Sequence, residues 1–187
     1  MFLKDKVAIV TGAGQGIGAA IAQAYAREGA KVAVVDMNAE AADAVAAGIR
    51  QSGGAAKGFA CNVAERESVD RMASAVAAEW GRVDILVNNA GITRTAMLHK
   101  MTQEQWQQVI DVHMNGSFYC LQAVVNGMSV RARDSGFANS GIVAEAGTDD
   151  FGAAGDPLAG IAFQEEMERR AFDRGGKGFG LPAANLP

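Results

Sequence analysis

The chain is poor in several features, and each shortage excludes a class of protein. It holds 3 prolines and 2 cysteines in 187 residues. The thiols, Cys61 and Cys120, lie far apart inside apolar segments. A disulfide scaffold needs more cysteine, and a structural metal site needs further Cys or His at close spacing. Both are therefore expected to be free core thiols in a reducing cytosol, and no metal ligands are nominated. There is no excess of positive charge. Lys and Arg number 17 against 21 Asp and Glu, a net charge of -4, so the basic footprint of a nucleic-acid partner is missing. No apolar run approaches the roughly 20 residues of a membrane span. The opening Met-Phe-Leu-Lys-Asp-Lys is expected to run into a strand and not to form a leader. A cytoplasmic protein without a membrane partner is the expectation. Aromatic residues make up 6%, with only two tyrosines, Tyr25 and Tyr119. Glycine, at 23 residues, and an apolar share of 49% are what the chain does have. They suit a globular domain with a real core and many tight turns.

Short β-branched runs alternate with helical stretches. Lys6 to Thr11, Lys31 to Asp36, Lys57 to Val63 and Val83 to Asn88 read as strands. Between them, Ala19 to Glu28, Ala39 to Gln51 and Glu65 to Trp80 read as helices. Such alternation predicts βαβ units on a parallel sheet. A long helix is expected from Gln103 to Val125, opened by a capping box of Thr102 and Gln105. Beyond it the composition turns to Gly, Ser, Asp and Asn. Gly141 to Glu145 is the best candidate for a fifth strand, without which strand four would be an exposed apolar edge. Asp156-Pro157 then opens an amphipathic helix to Arg174. The expected fold is an α/β Rossmann-type doubly wound parallel sheet, truncated or altered after the fourth strand and long helix. Residues 1–125 form the nucleotide-binding domain. Residues 126–187 form an atypical segment packed on it.

The first strand leads into Gly12, Gly14, Gln15, Gly16, Ile17 and Gly18, which open the first helix. Glycines at this point permit the tight turn, close approach of a pyrophosphate and close helix–sheet packing. The phosphates then meet unsatisfied N–H groups at the positive end of a helix dipole. At the end of the second strand stands Asp36, whose carboxylate suits the adenosine ribose hydroxyls and repels a 2′-phosphate. Gln15 is neutral where a cation would hold that phosphate. These residues point to NAD, with NADP disfavoured.

Thr11-Gly12-x-x-x-Gly16-x-Gly18, followed by Asn88-Asn89-Ala90-Gly91, resembles the short-chain dehydrogenase/reductases, especially the 3-oxoacyl carrier-protein reductases and related alcohol dehydrogenases. The resemblance covers residues 1–125. It implies that Met37, beside Asp36, shares the cofactor site, and that Asn62 and Val63 contact the adenine end. It also implies that Asn89, Ala90 and Gly91 shape the cofactor floor. Asn115 matches the helix Asn that organises a proton-relay water in that family. The family's long helix pairs subunits, so a homo-oligomer through helix 103–125 is expected.

The family's chemistry needs a Tyr to exchange a proton with the substrate oxygen, a Lys four residues later and an upstream Ser. Four residues after Tyr25 and Tyr119 stand Gly29 and Ala123, and the only lysine beyond residue 125 is Lys177. The segments Asn126-Gly127-Met128-Ser129 and Asp156-Pro157-Leu158-Ala159-Gly160 are similar instead to an internal stretch of FAD-dependent dehydrogenase-like flavoproteins. That stretch carries no flavin-binding loop. Two functions stay open. One is NAD-linked oxidoreduction of a small alcohol or carbonyl substrate. The other is a catalytically inactive NAD-binding module or recombinant product. Tyr25, Tyr119 and His113 are read as packing or solvated residues.

Overall fold

A computed structural model of the chain describes residues 1–135 and 142–145. The elements alternate as the hydrophobic pattern requires: β1 (Val7–Thr11), α1 (Gly16–Arg27), β2 (Lys31–Asp36), α2 (Ala39–Gln51), β3 (Ala55–Ala60), α3 (Arg66–Trp80) and β4 (Ile85–Asn88). After a short 3₁₀ turn at Leu98–Lys100 come α4 (Gln103–Ile110), a π-helical segment at Asp111–Asn115 and α5 (Gly116–Ser135). β5 (Ile142–Glu145) completes one parallel sheet of order β3-β2-β1-β4-β5.

Every residue of β1 and β4 is buried, as expected for strands covered on both faces. Val7, Ile9, Ala33, Val35 and Leu86 face a core shared with Val69, Met72 and Val76 of α3 and with Cys120 and Val124 of α5. The alternate residues, Ala8, Val10, Val32 and Val34, point the other way, and α1 and α2 pack on β1, β2 and β3. Fully burying a side chain such as Val or Ile contributes about 1.5–3 kcal/mol, so these strands anchor the fold. The order runs outward from β1 in both directions. The crevice at the carboxyl ends of β1 and β4 is therefore the topological switch point, where α/β sheets take ligands.

The sheet is doubly wound as expected, and the fifth strand lies on β4, with Ile85 opposite Ile142 and Asn88 opposite Glu145. Boundaries moved for local reasons. β3 ends at Ala60 rather than Val63 because Asn62 accepts from the Ala64 N–H (3.2 Å) and turns the chain. β4 begins at Ile85 rather than Val83 because Asp84 turns inward, its Oδ2 accepting from the Val7 N–H (2.9 Å). The capping box of α4 is present in both directions: Gln105 N–H donates to Thr102 Oγ1 and Thr102 N–H donates to Gln105 Oε1. The long helix is interrupted at Asp111–Asn115, which its apolar spacing did not foretell. The amphipathic helix expected at 156–174 lies outside the described residues. No helix among the described residues is long and apolar enough to cross a membrane.

Candidate functional site

The glycine loop is shaped by what its residues lack. Gly12 and Gly16 hold positive φ angles of 62° and 57°, which L side chains rarely adopt. A Cβ on Gly18 would stand 2.3 Å from the Gly12 carbonyl oxygen, and one on Gly12 would stand 2.8 Å from Ala90 Cα. The loop is thus clamped between α1 and the end of β4. At the start of α1 the Gln15 side chain makes no capping hydrogen bond, and the first turn holds no acid. The helix's leading N–H groups remain available to an anion.

Asp36 closes the loop from the side of β2. Its Oδ2 accepts from the Gly14 N–H (2.9 Å) and its Oδ1 from the Asn38 N–H (2.9 Å). A Cβ on Gly14 would meet the Asp36 carboxylate at 2.8 Å, so the glycine is what lets the carboxylate reach the loop. A carboxylate has about four lone-pair sites, and two remain for ribose hydroxyls. Just past β4, Asn89 donates through Nδ2 to the carbonyls of Thr11 (2.9 Å) and Gly12 (3.1 Å). Thr11 Oγ1 in turn accepts the N–H groups of Asn89 (3.0 Å) and Ala90 (3.1 Å). Asn62 is turned into its own loop, with Nδ2 donating to Glu65 Oε1 (2.8 Å).

These residues surround an open cleft of about 690 Å³. Gly12, Gln15, Gly16, Ile17 and Gly18 line one wall, and Asp36, Met37, Asn62 and Val63 the next. Asn89, Ala90 and Gly91 form the floor. Of the nominated cofactor residues, Gly14 alone does not line the cleft, and it stands behind Asp36. Ile17 (73% exposed) and Met37 (76%) are large apolar groups left uncovered at its rim. Asn115 is not part of the lining; its Nδ2 donates to Asp111 Oδ1 (2.8 Å) within the π segment.

The sequence reading missed the wall contributed after β4. Ile92, Arg94, Gln108, Asp111 and Val112 also line the cleft. They come from a loop and a helix interruption with no local motif. Thr11, part of the quoted motif, emerges as the hub between the glycine loop and the floor. The two tyrosines take no part in the lining. Tyr25 is 2% exposed in α1, and burial pushes its phenol up to about 12. Tyr119 lies beside Phe118 and under the Arg66 guanidinium. Cys61 and Cys120 are both buried and unpaired by disulfide. Burial, and then the nearby Cys61, push Cys120 up to about 12.

Comparison with known proteins agrees with this geometry. The family profile described as short chain dehydrogenase matches residues 6–138. A second profile, FAD-dependent protein, C-terminal domain-like, matches residues 114–187. A D-threitol dehydrogenase of Mycolicibacterium smegmatis is 52% identical over 122 residues, which are 65% of this chain and 47% of that protein. A 3-oxoacyl-[acyl-carrier-protein] reductase of Vibrio cholerae is 38% identical, with 94% of this chain and 71% of that protein covered. Among solved structures, a metagenomic short-chain oxidoreductase in complex with NADP superposes with a TM-score of 0.71 at 30% identity, covering 92% of this chain and 78% of that one. The chain spans between 47% and 61% of the length of the first curated relatives it matches.

Proposed function

Because the chain belongs to the short-chain dehydrogenase family, we propose that its cleft binds NAD and serves hydride transfer between NAD and an alcohol or carbonyl substrate. The observation that carries this reading is Asp36, which lines the cleft while the Gly14 and Asn38 N–H groups hold its carboxylate at the end of β2 against the glycine loop. The same carboxylate would meet a 2′-phosphate with like charge. That favours NAD over the NADP carried by the metagenomic relative. When bound, the nicotinamide would supply the hydride or accept it. The chain's own residues bind and orient: the open start of α1 for the pyrophosphate, Asp36 for the ribose, and Asn89 to Gly91 for the floor. The polyol dehydrogenases and 3-oxoacyl reductases among its relatives support a substrate drawn from the secondary alcohols and 3-oxoacyl thioesters.

A second reading, NAD binding without turnover, is favoured by one specific observation. Neither tyrosine has a lysine four residues later, and neither lines the cleft. Loss of a positioned acid–base group costs roughly 10²- to 10⁴-fold in rate.

Titration with NAD and NADP, followed by turnover on secondary alcohols and 3-oxoacyl thioesters, separates the readings. NAD is expected to bind more tightly than NADP. Asp36→Ala should weaken NAD roughly ten-fold or more, because hydrogen bonds to a charged acceptor are worth about 1.5–3 kcal/mol. Unchanged affinity in that variant would remove the basis of the proposal. Binding without turnover selects the second reading.

A further inference from the structure

Among the described residues that line the cleft, the charged side chains are Asp36, Arg94 and Asp111, so Arg94 is the only cation there. Both carboxylates are engaged by neutral donors. Asp36 accepts the Gly14 and Asn38 N–H groups, and Asp111 Oδ1 accepts from Gln107 Nε2 and Asn115 Nδ2, each at 2.8 Å. Among the described residues no carboxylate forms an ion pair with Arg94. Neutral acceptors hold it instead: Nε donates to Gln108 Oε1 (2.6 Å) and Nη1 to the Thr93 carbonyl (3.1 Å). Those contacts use two of the five N–H donors of a guanidinium. The other three, and both N–H groups of the Gln108 amide, meet no acceptor among the described residues. Gln108 therefore fixes the guanidinium without neutralising it.

Position along the sheet decides what these donors face. Asp36 ends β2, the glycine loop follows β1 and the floor follows β4, and the three strands are neighbours in that order. A cofactor with its ribose on Asp36 and its pyrophosphate on the loop brings its other end to the floor. Arg94 comes from the loop just past Gly91 and Gln108 from α4, so the pair belongs to the wall beyond the floor, on the substrate's side. We infer that Arg94, steadied by Gln108, is a specificity-determining residue that grips an anionic group, carboxylate or phosphate, on the alcohol or carbonyl substrate. A guanidinium fork meets two oxygens of either anion at once. A neutral polyol offers only hydroxyl oxygens, which make the weaker, uncharged kind of hydrogen bond.

The inference rests on the NAD-linked reading of the cleft, and the experiment reads the two separately, by binding and not by turnover. Fluorescence gives the dissociation constant of NADH for the unmodified chain, Arg94→Gln and Arg94→Lys, with thermal midpoints as a control for folding. Calorimetry on each NADH-saturated protein in low-chloride buffer then follows four probes. 3-Hydroxybutyrate and glycerol 3-phosphate carry an anion near a secondary alcohol, and 2-butanol and glycerol are their neutral counterparts. The unmodified chain is expected to bind at least one anionic probe roughly 10-fold or more tightly than its counterpart, the scale of charge-assisted hydrogen bonds. R94Q should lose that preference while its NADH affinity stays within about two-fold of the unmodified value, a change smaller than one hydrogen bond of that kind. The anion preferred, carboxylate or phosphate, then names the substrate class. Equal binding of anionic and neutral probes, no binding of any probe, or a preference that survives in R94Q overturns the inference. An equal loss of NADH and anion affinity in R94Q assigns Arg94 to the cofactor and also overturns it. If NADH binds to none of the proteins, the cofactor reading fails, and the same titrations without cofactor decide the grip. An anion preference that R94Q abolishes then sustains it, and any other result overturns it. Should R94Q fail to fold, R94K, which keeps the charge and loses the fork, takes its place: a reduced preference sustains the grip and an undiminished one overturns it.

Discussion

At the scale of single residues, the cleft depends on side chains that act on backbone. Asp36 accepts N–H groups from the glycine loop and from the start of α2. Thr11 and Asn89 join the ends of β1 and β4. None of these contacts is visible in a hydrophobic pattern, although the residue types at strand ends did identify Asp36 and Asn89. Tyr25 shows the opposite case, a polar group used for packing. Its phenol is raised from 10.0 to about 12 by burial. A raised pKa means that the folded state favours the neutral form. The corresponding stability is complete below about pH 10 and is lost as pH rises toward 12. Denaturant midpoints measured from pH 9 to 12 should fall, and Tyr25→Phe should flatten that fall. An unchanged slope in the variant would show that Tyr25 does not govern it.

At the scale of elements, the interrupted helix supplies three of the five residues in the cleft wall contributed after β4. Gln108 comes from α4, and Asp111 and Val112 from the π segment. The start of α4 is fixed by the capping box of Thr102 and Gln105. Thr102→Ala should cost about 1 kcal/mol, read as a lower denaturant midpoint, and Thr102→Ser should retain most of it. Equal loss in both variants would contradict a hydroxyl cap. The composition of Gln103 to Val125 foretold a helix and its cap, but not the interruption. A π turn is stabilised by side-chain braces such as Gln107 and Asn115 on Asp111, and these are chosen by what the helix packs against. Gly116 follows directly, where a Cβ would stand 2.9 Å from Val63 Cγ2. Contact with the β3–α3 loop thus sets the helix position at the point where the segment ends.

At the scale of the molecule, two family profiles match one chain, and their matches overlap across residues 114–138. β5 lies beyond the short-chain dehydrogenase match and inside the second, yet it pairs with β4 in parallel register. Backbone pairing is tolerant of side-chain identity, so an Ile-Val-Ala-Glu run can cover the β4 edge whatever its ancestry. Catalytic geometry has no such tolerance, because it needs particular groups at particular strand ends. The long helix also leaves Trp106 (55% exposed), Phe118 (55%) and Leu121 (37%) uncovered. We propose self-association through this face, since large apolar patches mark interaction surfaces. Light scattering should give a mass above that of one chain, and Phe118→Asp should lower it. A monomeric mass for the unmodified chain would rule this out.

The sequence by itself determined the order of strands and helices, the glycine loop, Asp36 and the Asn89-Ala90-Gly91 floor. Each of these follows from local rules: alternation of apolar runs, the backbone freedom of glycine, and an acid at the end of a buried strand. The absence of a Tyr-x-x-x-Lys pair was equally legible. Only the tertiary structure decided what the far wall of the cleft is made of. Arg94, Gln108 and Asp111 are brought to the site by a helix interruption and by packing between elements distant in sequence. Such placement depends on the sum of many contacts across the fold, and no short spacing along the chain encodes it.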